Sequence, residues 1–189
     1  MTTTTILQKA VSNTIVIALS GKARSGKNSI YFLSKILLDE DDRGLVQKAA
    51  FADALKKEAF AAGWTGKKDE TGRKLLQDLG MQRRQMDSLY WVKKVGEKIQ
   101  KAHMESFGLS PKVWFITDCR FLNEAIYIKE KGWELWRVRR PNIEHTQTDP
   151  HPSETELDDY PTFDAVLEAN DMAELFAAVK KNLSRLGLV

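Results

Sequence analysis

Five short apolar runs separated by segments of helical period constrain this chain more than any other feature. The runs are Ile15–Leu19, Leu45–Phe51, Val113–Thr117, Trp133–Val138 and Phe163–Leu167. Each is strand-length, rich in β-branched or aromatic residues, and ends at turn or charged residues. A strand apolar on both sides needs cover on both faces, which helices around a parallel sheet provide. Helices are expected at Lys27–Leu38, Asp53–Ala62, Gly72–Gly80, Ser88–Ser106, Arg120–Lys131 and Asp171–Leu186, with Asp171 placed to cap the last. No repeat or composition break divides the chain, so a single α/β domain spanning residues 1–189 is expected. Its ligands should bind beyond the carboxyl ends of the strands.

The stretch from Arg139 to Pro161 fits neither period. It is polar, carries four prolines, and is too long for an idle connection, so a lid loop over about 139–161 is expected. His145, His151, Glu154 and Glu156 lie in it, but their spacing lacks the paired ligands of a structural zinc site and no cysteine joins them.

Charge and cysteine usage narrow the function classes. Against 29 basic side chains stand 26 acidic ones, an excess of three that gives no reason to expect a nucleic acid polymer as partner. Cys119 is the sole cysteine, so no internal disulfide can form and a reducing cytoplasm fits. No apolar run approaches the roughly 18 residues of a membrane span. Small-molecule partners, no membrane and a cytoplasmic location are the expectations.

The sharpest motif is Gly21-Lys22-Ala23-Arg24-Ser25-Gly26-Lys27, a G-x-x-x-x-G-K sequence between a strand and a helix. Glycines let the backbone wrap a phosphate, successive N–H groups point inward, and the helix N-terminus adds positive potential. Lys27 would bridge the outer phosphates of ATP. A P-loop NTPase-type three-layer sandwich on a five-stranded parallel sheet follows, with Gly21, Lys22, Ser25, Gly26 and Lys27 as ATP contacts. The residue after the lysine is Asn28 rather than Ser or Thr, and Ser29 follows. Asn28 and Ser29 are the candidate ligands of Mg2+.

Asp118 ends the third apolar run and would emerge beside the glycine loop. It either orients magnesium water or an acceptor group, or caps the following helix. Arg73, the pair Arg83 and Arg84, Arg120, and Arg137, Arg139 and Arg140 sit at expected strand ends and loop mouths. Their planar guanidinium groups suit phosphate oxygens, and so many suggest two phosphorylated ligands. Trp91, after Tyr90 and near the arginine pair, is a candidate for stacking a base; the other tryptophans read as core.

These residues resemble the phage-type deoxynucleoside monophosphate kinases. The resemblance is carried by Gly21–Lys27; Phe51-Ala52-Asp53 with Leu55-Lys56; Arg73 with Leu76-Gln77 and Gly80; and Tyr90-Trp91-Val92. It continues through Thr117-Asp118-Cys119-Arg120-Phe121-Leu122-Asn123-Glu124-Ala125 and His151-Pro152-Ser153-Glu154 with Leu157-Asp158. The family often has Asp where this chain has Asn28, and Thr where it has Met81. The resemblance implies Mg2+- and ATP-dependent phosphorylation of a dNMP to a dNDP. It implies a monophosphate held by Asp53, Lys56, Arg73, Gln77, Arg84 (or Arg83, between which the resemblance does not choose) and Trp91 on one side, and by Asp118, Arg120 and Glu124 on the other. His151, Ser153 and Glu154 would close over it. Lys27, Asp118, Arg120 and Arg139 form the implied catalytic group, with Arg137 and Arg140 on ATP. Dephospho-coenzyme A kinase, phosphomevalonate kinase and a non-catalytic ATP-binding switch stay open as other readings of the same scaffold. Oligomeric state stays open too, with a homodimer among the expectations.

Overall fold

The computed structural model describes residues 14–39, 44–67, 69–105, 113–142 and 152–189. In chain order the elements are β1 (Ile15–Ser20), α1 (Lys27–Leu38), β2 (Val46–Ala49), α2 (Phe51–Ala61), α3 (Glu70–Met86) and α4 (Tyr90–Glu105). Then come β3 (Val113–Cys119), α5 (Leu122–Glu130), β4 (Glu134–Arg139), α6 (Pro152–Thr155), β5 (Ala165–Glu168) and α7 (Met172–Arg185). The five strands form one sheet in the order β2-β3-β1-β4-β5, with every pairing parallel.

The alternation along β1 shows why the runs read as continuously apolar. Val16 and Ala18 face a core built with Trp91, Val95 and Ile128. Ile17 and Leu19 face a second core with Ile30, Leu175 and Val179. Both faces are covered, so the strand has no solvent side to mark with polar residues. From β1 the chain crosses to β2 on one side of the sheet, and from β3 it crosses to β4 on the other. The carboxyl end of β1 therefore lies where the connections part, the place such sheets reserve for ligands. Register sets Ser20 of β1 between Cys119 of β3 and Arg137 of β4.

Three differences from expectation bear on the site. β2 stops at Ala49, because the N–H groups of Phe51 and Ala52 turn to Asp118 and open α2 instead of extending the ladder. α3 does not end at Gly80 but runs to Met86. Gly80 is a packing glycine: an added Cβ would lie 3.3 Å from Arg84 Nη1 and 3.6 Å from Leu55, and the Gly80 carbonyl accepts the Trp91 indole N–H at 3.2 Å. The stretch expected as one irregular loop from Arg139 to Pro161 contains the short helix α6. Residues 143–151 of that stretch lie outside the described residues, so the expectation of a lid there, and those on His145 and His151, go without a structural account. Among the described residues no helix is long and apolar enough to cross a membrane.

Helices α2, α3 and α4 form one packed arm. Glu58 accepts the Tyr90 hydroxyl and, at 3.0 Å, the Arg83 Nε–H, tying all three helices together. The N-terminus of α3 is capped by Asp69, which accepts the Gly72 N–H at 2.8 Å, and α7 opens on Asp171, which accepts the Glu174 N–H at 2.8 Å.

Candidate functional site

The glycine loop joins β1 to α1 at the sheet's carboxyl edge. An added Cβ on Gly21 would sit 2.5 Å from the Val138 carbonyl oxygen, so only glycine lets the loop lie this close to β4. Gly26, at φ +105, makes the turn into α1. The first turn of α1 carries no side-chain cap and no acidic residue, which leaves its N–H groups and positive end to an anion. Lys27 Nζ folds back on the loop, donating to the carbonyls of Gly21 (2.6 Å) and Lys22 (2.7 Å) and, at 3.4 Å, to Ser25 Oγ. Burial, and then the nearby Arg120 cation, bring its pKa down to about 8.

Asp118, at the end of β3, accepts the Phe51 N–H (2.8 Å) and the Ala52 N–H (2.9 Å), one on each oxygen. It thereby holds the N-terminus of α2 against the sheet, in addition to facing the cavity. Burial raises its pKa, while these two N–H groups work in the opposite direction. Glu124, on the first turn of α5, is 1% exposed. One of its oxygens accepts the Arg120 N–H (2.8 Å) and the Phe121 N–H (3.1 Å), and the other pairs with Arg84 at 3.5 Å. Burial, and then the Asp118 charge, push its pKa up to about 7 against the opposing pull of these donors.

A cavity of about 290 Å³ opens between the α2–α3–α4 arm and the β3–α5 turn. Its wall includes Phe51, Leu55, Leu76, Met81, Trp91 and Phe121, and its polar groups are Gln77, Arg84, Asp118, Arg120, Glu124 and Ser153. The structure separates the arginine pair. Arg84 lies in the cavity, its guanidinium 4.0 Å from the Phe121 ring centroid, whereas Arg83 turns to Glu58. Trp91 is 2% exposed, so it forms floor and core, and its indole N–H is already taken by Gly80. Asp53 caps its own helix through the Ala50 N–H (3.1 Å) and lies 3.9 Å from Lys98; neither it, Lys56 nor Arg73 lines the cavity.

A second cavity, of about 440 Å³, lies on the other side of the loop, against β4. It is lined by Lys22, Ser25, Arg137, Arg139, Arg140 and Asp158, among others. Arg137 is 7% exposed. It donates to Ser20 Oγ at 3.0 Å and to Asp158, while its Nε has no partner. Arg139 is exposed and pairs with Glu168 of β5 at 3.2 Å.

Asn28 Oδ1 accepts the Lys48 ammonium at 2.8 Å, and both Asp118 oxygens are engaged by backbone donors. Among the described residues no group of three or more His, Cys, Asp and Glu could hold a metal. The donor set does not fit a metal centre built by the protein; Asn28, expected as a magnesium ligand, is turned to Lys48, and the structure gives Ser29 no comparable partner.

Sequence reasoning did not assign three contacts. Phe121 lies under Arg84. Asp158 bridges Arg137 and Lys22, 3.2 Å from the latter. Glu154 reaches the glycine loop itself, accepting the Ala23 N–H at 3.1 Å while pairing with Arg120. All three residues lie in the motifs that carry the family resemblance, but nothing in those motifs named their partners.

A five-stranded parallel sheet, helices on both faces and a glycine loop between β1 and α1 define a P-loop NTPase-like protein. No family profile matches the chain. A protein of Acanthamoeba polyphaga mimivirus, named "Putative deoxynucleotide monophosphate kinase", is 30% identical over 194 residues, covering 86% of this chain and 92% of that protein. At that identity and coverage the chain belongs to the deoxynucleotide monophosphate kinase family.

Proposed function

We propose that this protein transfers the γ-phosphoryl group of MgATP to the phosphate of a deoxynucleoside monophosphate, releasing ADP and a deoxynucleoside diphosphate. The observation that carries the reading is the position of Arg120, which lines the 290 Å³ cavity and is joined to the glycine loop through Glu154, its guanidinium pairing with the carboxylate that also accepts the Ala23 N–H. Two anions must meet for this reaction, and a guanidinium between them offsets their repulsion.

In the proposed complex the loop N–H groups, the N-terminus of α1 and Lys27 hold the β- and γ-phosphates, with Lys22 and Arg137 at the outer cavity. Magnesium enters as part of the nucleotide, where it neutralises phosphate charge. An oxygen of the acceptor phosphate attacks the γ-phosphorus in line; its bond forms as the bond to the β-phosphate's bridging oxygen breaks, and the electron pair leaves with ADP. Catalysis of this kind is mostly positioning and charge stabilisation. Arg120 orients the acceptor phosphate, Asp118 fixes the arm that carries the acceptor, and Arg84 with Gln77 supplies the donors facing the nucleoside. The apolar wall from Phe51 to Phe121 encloses it.

A coupled assay for ADP, run with MgATP and each common deoxynucleoside and ribonucleoside monophosphate, tests this. ADP release that requires a monophosphate, with the matching diphosphate as product, is the expected result. Release with none of them, but with dephospho-coenzyme A or phosphomevalonate, would overturn the choice of acceptor. ATP binding without any acceptor-dependent turnover would leave only a nucleotide-binding switch.

A further inference from the structure

Helix α6 and the turn that follows it lay acidic side chains on the groups a triphosphate requires. Glu154 accepts the Ala23 N–H of the glycine loop with one oxygen, at 3.1 Å, and pairs with the Arg120 guanidinium through the other. Arg120 also reaches the Ser153 carbonyl at 3.4 Å. Four residues beyond Glu154, Asp158 holds Arg137 and Lys22. Glu156, between them, takes no such group: it accepts the Leu122 N–H at 2.7 Å, at the start of α5. Carboxylates thus occupy a loop N–H, the central arginine and two of the four cations of the outer cavity. An anion-receptive loop left without an anion would crowd Lys27, Arg120 and Arg137 together, and Glu154 offsets that repulsion.

We propose that Glu154 and Asp158 are built-in phosphate surrogates, and that Glu154, shared between the loop and Arg120, couples the two substrate sites. This rests on the functional reading above. ATP must displace Glu154 from the Ala23 N–H, and the displaced carboxylate takes its other oxygen away from Arg120. The acceptor phosphate then meets an arginine already released. In the reverse order, a monophosphate that captures Arg120 frees the loop for ATP. Each substrate therefore removes part of the cost of binding the other, and by linkage the two effects are equal. The direct repulsion between the two anions acts the other way, so the displaced surrogate is what makes the coupling favourable.

The test is calorimetric binding to the full-length protein of the magnesium complex of a β,γ-imido ATP analogue, alone and with each deoxynucleoside monophosphate. In the wild type the analogue should bind roughly five- to tenfold tighter when the monophosphate is present. Glu154→Gln, isosteric and unchanged in its circular dichroism, should bind the analogue alone roughly tenfold tighter than the wild type, and its coupling should fall to one or below. Asp158→Asn should tighten the analogue without removing the coupling, and Glu156→Gln should change neither. Glu154→Gln binding the analogue no tighter than the wild type would overturn the surrogate role. Tighter binding with coupling retained would overturn the link through Arg120. A wild type that binds no analogue at all would instead overturn the functional reading.

Discussion

Replacing Glu124 by glutamine should stabilise the protein at neutral and alkaline pH while impairing its site. Glu124 is almost fully buried, and its pKa rises from 4.5 to about 7 on folding. Below pH 4.5 both folded and unfolded chains hold its proton. Between the two values only the folded chain does, so stability falls as pH rises through this window and the loss is complete above about 7. A difference of about 2.5 pH units, at roughly 1.4 kcal/mol each, amounts to ~3 kcal/mol. Glutamine has the same shape, keeps an oxygen for the Arg120 and Phe121 N–H groups, and does not ionise. The stability of Glu124→Gln relative to wild type should therefore climb by ~3 kcal/mol between pH 4.5 and 8, or about 6–12 °C in melting temperature for a chain of this size. Thermal unfolding of both proteins across that range measures it, and the difference between the two cancels every titrating group that does not interact with Glu124. Parallel curves, with a gap constant to within about 1 kcal/mol, would refute the claim that a buried, partly uncompensated carboxylate sits here. Turnover should fall in the same variant, because the uncharged amide no longer pairs with Arg84, a trade of site geometry against stability.

Asp118→Asn turns an NH2 toward one of the two backbone donors at the start of α2 and should cost about 2 kcal/mol, seen as a lowered melting temperature; an unchanged melt would refute the clamp. ATP affinity should decline above pH 8, approaching tenfold per pH unit, because Lys27 in the free protein loses its proton near there and must regain it to meet the phosphates. Lys27→Ala should bind weakly, with that pH dependence gone, in the same titration. Arg84→Ala should raise KM for the monophosphate by roughly tenfold or more, while Arg83→Ala should leave that KM alone and lower stability by loosening the Glu58–Tyr90 latch; the two KM values and two melts decide it.

Much of the fold is legible in the residues because parallel sheets write themselves plainly. The runs at Val16–Leu19 and Val113–Ile116 are apolar at every position, since helices cover both faces, and the glycine loop needs its spacing wherever it occurs. Asp171 was readable as a cap because a capping residue acts within its own turn of chain. Gly80 misled for the complementary reason. A glycine after an apolar stripe reads as a stop, and only the approach of Leu55, Arg84 and the Trp91 indole shows that it is a contact inside a longer helix.

The site divides along the same line. Sequence alone determined that a glycine loop follows β1, that Asp118 and Arg120 leave the sheet beside it, and that arginines crowd this edge, because strand direction fixes where strand ends emerge. Which arginine of the pair faces the cavity was decided by tertiary structure, since Glu58 on another helix claims Arg83. Trp91 was assigned to the floor by the packing of α3 over it. Asp118 acquired its two N–H partners from a helix more than sixty residues away in sequence. The meeting of Glu154 with the Ala23 N–H spans 131 residues. No local pattern encodes such pairs. A carboxylate's partner depends on which donors the folded chain carries to it, and periodicity reports only which side of its own element a residue occupies.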